Sequence, residues 1–253
     1  MSASYHVTHK GIKLAYVHTA PSEEGAKLPA VVFLGGFKSE MAGTKAIFLQ
    51  EECKKRGQEF LRFDYSGHGQ SDGAFVDGTI SIWKNDAIAV IDDVLQGRDM
   101  ILVGSSMGGW ISLRILMERP ERIKGVIGIA PAPDFTKDIE ARLTDENREE
   151  IAATGRLEVP NDYSDDPYIF TKALIDDGRE QSLLHLSAKI DVPLTLIQGK
   201  CDADVPWEKA NKIDAVFDGP QNKVIFIDDG DHRLSRDQDL SIIDAEVRAI
   251  SGL

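Results

Sequence analysis

The segment that most constrains the fold is the pentapeptide GSSMG at 104–108, which directly follows the apolar run MILV at 100–103. Apolar residues then recur with no proline before Pro120, so the sequence predicts a strand, a sharp turn and a helix. The outer glycines let the backbone turn tightly past the central serine. This G-x-S-x-G pattern is typical of a turn that exposes a serine hydroxyl above a sheet. Ser106 is therefore a candidate nucleophile, although the pentapeptide alone also suits an ordinary turn.

Two later strand ends carry the side chains that a nucleophilic serine needs. The apolar run at 194–197 leads into Asp202 and Asp204, and the run at 224–227 leads into His232. Loops after parallel strands meet at the carboxyl edge of an α/β sheet, so we expect these residues to converge. A histidine can take the proton of a serine hydroxyl and later return it, and a carboxylate can orient the imidazole.

Other residues compete for the roles of acid and base. Asp202 and Asp204 lie in the same loop, and Asp134, after a predicted strand at 124–129, is a weaker third candidate for the acid. His68 lies in a turn-rich loop, where we interpret its role as structural, with a smaller chance of lining the site. His185 is ambiguous. The histidine after the last predicted strand is preferred, because its position is the one that the mechanism requires.

Apolar runs predict eight strands, at 5–8, 14–18, 30–34, 59–63, 100–103, 124–129, 194–198 and 223–227. Helical patterns lie between most of them, which favours one α/β domain with a mostly parallel central sheet of about eight strands flanked by helices. This alternation is interrupted between Pro133 and Ala188. We interpret residues 1–132 and 189–253 as the core and residues 133–188 as a small helical cap.

Several longer segments resemble a known family. They read GFKSEMAGTKA at 36–46, RFDYSG at 62–67, LVGSSMGGW at 102–110, DVPW at 204–207 and DHR at 231–233. On these residues the chain resembles α/β-hydrolase-fold serine hydrolases across almost its whole length. More narrowly, it resembles the acyl-protein thioesterase and acyl-glucuronide esterase branch of α/β-hydrolase-domain proteins, whose best-known members are mitochondrial.

The resemblance implies a catalytic triad and an oxyanion hole. Ser106, Asp202 and His232 would form the triad, and Asp202 matches the family spacing Gly-x-x-Asp-x-x-Val-Pro better than its neighbour does. The backbone N–H groups of Phe37 and Met107 would form the oxyanion hole, as the corresponding loops do in this fold. The implied reaction is hydrolysis of esters and thioesters, including S-acyl groups, through an acyl-enzyme. No cofactor and no metal are expected.

The amino-acid composition excludes several classes of binding partner. The formal net charge of −13 argues against a nucleic-acid surface and against adsorption to anionic membranes. The two cysteines, Cys53 and Cys201, do not make a disulfide framework. The sequence contains no apolar run of about 18 residues, so no membrane span is expected. We expect a cytoplasmic protein that binds a small-molecule or acylated substrate, and the sequence leaves its oligomeric state open.

Three functions remain compatible with these patterns. The first is a serine hydrolase acting on esters or thioesters. The second uses the same triad for C–C bond hydrolysis or cofactor-free perhydrolysis. The third is a non-catalytic binding protein built on a hydrolase scaffold, which the presence of all three triad side chains disfavours.

Overall fold

The computed structural model describes residues 3–8, 10–160 and 167–253. The strands are β1 (Ser4–Val7), β2 (Lys13–Thr19), β3 (Ala30–Leu34), β4 (Phe60–Phe63), β5 (Met100–Ser105), β6 (Ile123–Ile129), β7 (Arg156–Val159), β8 (Tyr168–Thr171), β9 (Ala188–Lys189), β10 (Leu194–Gly199), β11 (Phe217–Asp218) and β12 (Asn222–Ile227). The helices are α1 (Thr44–Lys55), α2 (Ile80–Leu95), α3 (Met107–Glu118), α4 (Phe135–Arg142), α5 (Asp145–Thr154), α6 (Lys172–Glu180), α7 (Glu208–Val216) and α8 (Asp237–Ser251).

The central sheet has eight strands in the order β1-β2-β4-β3-β5-β6-β10-β12. Strand β2 pairs antiparallel with β1 and with β4, and the remaining neighbours pair in parallel. The eight predicted strands are therefore confirmed, with their ends shifted by two residues at most. The predicted mostly parallel sheet flanked by helices is confirmed as well.

Helices cover both faces of this sheet, as its apolar strands require. Val31 and Phe33 face α1 and α8, whereas Val32 and Leu34 face a layer that includes α2, α3 and α7. Cys53 is fully buried on the inner side of α1. Because the strands run in parallel, the loops that follow β3, β5, β10 and β12 leave the sheet at one edge.

The described part of the interrupted region, residues 133–160 and 167–188, contains the helices α4, α5 and α6 and an antiparallel pair of strands, β7 and β8. The sequence analysis does not predict this strand pair. Each of its strands has only four residues, and in β7 a single buried side chain, Leu157, alternates with exposed Arg156 and Glu158. Such a short alternation is too weak a signal for a strand. Helix α6 packs against α2 and α4. Within the described residues, no helix is long and apolar enough to cross a membrane.

Candidate active site

Ser106 lies in the tight turn between β5 and α3, with φ 54° and ψ −117°. A positive φ is unfavourable for a residue with a side chain and is common at functional turns. The flanking glycines are required by close packing. A Cβ atom at Gly104 would lie 2.3 Å from the carbonyl oxygen of Gly108, and one at Gly108 would lie 2.1 Å from the carbonyl oxygen of Leu34. The strained turn therefore lifts the Ser106 side chain above the carboxyl edge of the sheet.

The structure brings Ser106, Asp202 and His232 together from three different loops. The Nε2 atom of His232 lies 3.2 Å from the Oγ atom of Ser106, and its Nδ1 atom lies 2.8 Å from Oδ2 of Asp202. The Asp202 side chain is fully buried, and that of His232 is 18% exposed. An imidazole held in this way by a carboxylate can accept the serine proton on its other nitrogen.

Asp202 is surrounded by hydrogen-bond donors. Its Oδ1 atom accepts the backbone N–H groups of Asp204, at 2.9 Å, and of Val205, at 2.8 Å. Its Oδ2 atom accepts the side-chain amide of Gln198 at 2.8 Å, besides the bond from His232. Burial alone would raise the pKa of Asp202, but the bonds from His232 and from the two backbone groups outweigh it, and the pKa lies below its usual range. The carboxylate is therefore ionised at neutral pH.

Gln198 is a site residue that the sequence analysis does not identify. It lies at the end of β10, is fully buried and donates its amide to Asp202 and to the carbonyl oxygen of Val205. The available signal was a glutamine in an otherwise apolar strand, because a buried amide is expected to have hydrogen-bond partners.

The other candidate acids have different surroundings. Asp204 is exposed, and its backbone N–H supports Asp202. Asp134 is buried, and its carboxylate accepts the hydroxyl of Ser182 at 2.5 Å and the N–H of Leu183 at 2.8 Å. Of the described residues, Asp202, Asp204 and His232 bring three possible metal-ligand atoms within 4.8 Å of one another. Two of these residues already bond to each other, so we assign no metal role to them.

The other candidate histidines have other partners. His68 is buried, and its Nε2 atom accepts the backbone N–H of Lys38 at 3.2 Å. Burial lowers the pKa of His68 to about 4, so the ring is neutral near pH 7. His185 is exposed, and its Nδ1 atom lies 3.1 Å from the hydroxyl of Ser182. Among the described residues, neither ring hydrogen-bonds to Ser106.

The predicted oxyanion donors lie on either side of Ser106. Met107 is the first residue of α3, so its N–H has no acceptor within the helix. Phe37 follows two glycines after β3, and a Cβ atom at Gly36 would lie only 3.4 Å from Cβ of Ser106. The backbone that carries Phe37 therefore packs against the serine.

The ring of Phe37 is the centre of an aromatic cluster. It packs edge-on against four rings at centroid distances of 4.8 to 5.9 Å and stacks on a fifth at 5.4 Å. The four edge-on rings are Phe75, Trp83, Phe135 and Tyr168, and the stacked ring is Phe170. Three of these rings belong to the region at 133–188. This region therefore contacts the same residue whose backbone N–H is a candidate oxyanion donor.

Known proteins are similar to this chain in sequence and in fold. The family described as serine aminopeptidase, S33, matches residues 26–239. The chain belongs to this family of α/β hydrolases. The mouse palmitoyl-protein thioesterase ABHD10, a mitochondrial protein, is 35% identical over 218 residues, which cover 86% of this chain and 73% of the mouse protein. The human protein of the same name is 34% identical over 218 residues, with 86% of this chain and 71% of the human protein covered.

Solved structures support the same family. A protein from Agrobacterium vitis S4 superimposes with a TM-score of 0.93 and 39% identity, covering 99% of this chain and 100% of that one. Mouse α/β-hydrolase domain-containing protein 10 superimposes with a TM-score of 0.88 and 31% identity, covering 99% and 98%. The chain is thus a hydrolase that acts on ester bonds, close to the thioesterase branch. The related thioesterases are mitochondrial, so the cytoplasmic location expected from the sequence stays a prediction.

Proposed function

We propose that this hydrolase cleaves carboxylic esters and thioesters through an acyl-enzyme formed on Ser106. His232 is the general base and acid, and Asp202 holds the imidazole in the required tautomer. The observation that carries this proposal is the pair of contacts made by His232, at 3.2 Å to the serine hydroxyl and at 2.8 Å to a fully buried carboxylate.

In the first half of the reaction, His232 takes the hydroxyl proton while the Ser106 oxygen attacks the acyl carbon. The resulting oxyanion accepts hydrogen bonds from the N–H groups of Phe37 and Met107. The carbon–sulfur or carbon–oxygen bond then breaks, and the imidazolium returns its proton to the leaving group. In the second half, His232 takes a proton from water as the resulting hydroxide attacks the acyl carbon. The bond between that carbon and the Ser106 oxygen then breaks, the imidazolium returns its proton to the serine oxygen, and the carboxylic acid leaves.

We propose S-acyl groups as the preferred substrate class. The support is the name shared by relatives that are 34% and 35% identical, palmitoyl-protein thioesterase. A thiolate is a good leaving group and needs little protonation, whereas a peptide amine must be protonated by the histidine as it leaves. The family description names another reaction, aminopeptidase cleavage. That reaction requires the histidine to protonate the leaving amine, which thioester hydrolysis does not require to the same extent.

An S-acyl cysteine peptide, a p-nitrophenyl ester and an amino-acid p-nitroanilide, compared at equal enzyme concentration, test this proposal. We expect the thioester and the ester to be hydrolysed and the anilide to remain intact, with the first two rates lost in the Ser106→Ala variant. Cleavage of the anilide with a kcat/KM similar to that of the thioester would replace this proposal with a peptidase. No turnover of any ester or thioester by the folded protein would contradict it altogether.

We also propose that residues 133–188 form a cap that selects the acyl chain. Tyr168 is half-buried, and its ring lies 5.7 Å from that of Phe37. Burial and, to a smaller extent, the negative charge of Asp204 raise the pKa of Tyr168. Phe170 is buried and stacks on Phe37, which favours a packing role. Tyr163, another aromatic candidate for the acyl pocket, lies outside the described residues.

Replacing Tyr168 with alanine is expected to change the acyl-chain-length profile. The ratio of kcat/KM for a long-chain ester to that for an acetyl ester should shift several-fold, because the ring that borders the site is lost, while acetyl ester turnover stays near wild type. Tyr168→Phe is the matched control, since it keeps the ring and removes only the hydroxyl. If the profile of the alanine variant equals that of wild type over a series of acyl chains, Tyr168 does not line the acyl pocket.

A further inference from the structure

Side chains from β4 and the loop after it hold the loop between β3 and α1. Arg62 donates from Nη1 to the carbonyl oxygen of Met41 at 2.8 Å, and Asp64 accepts the N–H of Met41 at 2.6 Å. Closer to Phe37, His68 accepts the N–H of Lys38 at 3.2 Å. Two of the segments that carry the family resemblance, at 36–46 and 62–67, therefore contact each other.

The backbone immediately after Phe37 adopts an unfavourable conformation. The N–H of Ser39 donates to the carbonyl oxygen of Gly36 at 3.2 Å and closes a four-residue turn. Lys38, the third residue of this turn, has φ 57°. Turns with a positive φ at that position usually carry glycine or asparagine, because a side chain disfavours it. Lys38 therefore needs an interaction that stabilises this conformation.

His68 provides that interaction as a fixed acceptor. Its Nε2 atom must carry a lone pair to accept from Lys38, so its Nδ1 atom carries the hydrogen and donates to the carbonyl oxygen of Ser66 at 3.2 Å. The ring packs edge-on against Tyr65, at 5.5 Å, and against Phe75 and Trp83, both at 5.1 Å. Burial lowers the pKa of His68 to about 4, which keeps the ring neutral at the pH where a serine hydrolase works.

We infer that His68 is a positioning residue for the oxyanion hole: by accepting the Lys38 N–H, it holds the turn from Gly36 to Ser39 in the conformation that aims the Phe37 N–H at the substrate oxygen. This inference rests on the proposed function, in which Phe37 donates to the oxyanion. Without the acceptor, Lys38 can relax to a negative φ, and the turn from Gly36 to Ser39 that carries the Phe37 N–H then changes its conformation. An oxyanion donor acts mainly in the transition state, so its loss lowers kcat more than it raises KM.

The test is a pair of substitutions assayed on a short p-nitrophenyl ester. His68→Ala is expected to lower kcat by about ten- to a hundredfold, less than the roughly 10²–10³ of a fully lost donor, with KM nearly unchanged. Adding Lys38→Gly to this variant should restore most of the lost kcat, because glycine adopts a positive φ without penalty. A merely structural role for His68 would not be rescued in this way. Lys38→Gly alone is the reference for the double variant.

Should the alanine variant fail to fold, His68→Leu fills the same buried space without an acceptor and carries the same expectation. Wild type and Ser106→Ala are measured in the same assay. If wild type shows no Ser106-dependent turnover, the proposed function fails and this inference falls with it. If wild type turns over through Ser106, the positioning role alone is overturned by an unchanged kcat in the folded His68 variant. A double variant as slow as the single one would overturn it in the same way.

Discussion

Replacement of Ser106 by alanine is expected to abolish ester and thioester hydrolysis, with kcat reduced by about 10⁵–10⁶-fold. The hydroxyl oxygen is the atom that would form the acyl-enzyme, and it lies 3.2 Å from Nε2 of His232. The variant should also lose labelling by a fluorophosphonate, which reacts covalently with an activated serine. Turnover of p-nitrophenyl acetate and in-gel labelling are the two measurements.

The alanine variant is expected to stay folded, because the Ser106 side chain makes no capping hydrogen bond to α3. A melting temperature close to that of wild type would show that the loss is chemical. Ser105→Ala is the matched control, since Ser105 is the adjacent serine and its side chain is buried at the end of β5. Labelling that maps to Ser105, or wild-type turnover by Ser106→Ala, would show that the nucleophile is misassigned.

Most of the sheet could be predicted from the sequence because its strands are buried on both faces. Strands such as β3, with the sequence AVVFL, appear as short continuous apolar runs between turn residues. The parallel pairing then places their following loops at one edge, which is why the proximity of Ser106, Asp202 and His232 could be anticipated without coordinates. Their catalytic roles remain proposals that the substitutions test.

The contacts that hold the site in place could not be predicted in the same way. The bond between His68 and the backbone of Lys38 joins residues 30 positions apart, and no periodic pattern reports such a contact. The same holds for the rings of Phe135 and Phe170 on Phe37. The sequence indicated such a contact only where a polar residue interrupts an apolar strand, as Gln198 does in β10.

The second large loss of activity is expected when His232 is replaced. His232→Ala should reduce kcat/KM by several orders of magnitude, because it removes the base that lies 3.2 Å from the Ser106 hydroxyl. His185→Ala is the control, because its ring bonds to Ser182 instead. A comparable loss in this control would overturn the choice of base.

One matched pair of substitutions decides whether Asp202 or Asp204 is the acid that orients His232. Asp202→Asn should lower kcat by about 10⁴-fold, because an amide facing Nδ1 favours the wrong imidazole tautomer and removes the charge that stabilises the imidazolium. Asp204→Asn should have a small effect, since the hydrogen bond that Asp204 donates to Asp202 comes from its backbone N–H, which the substitution keeps. Both variants lose one negative charge, so a general electrostatic effect would lower both rates alike. Activity measured across pH for the two variants decides the assignment, and a larger loss in Asp204→Asn would transfer the role of the acid to Asp204.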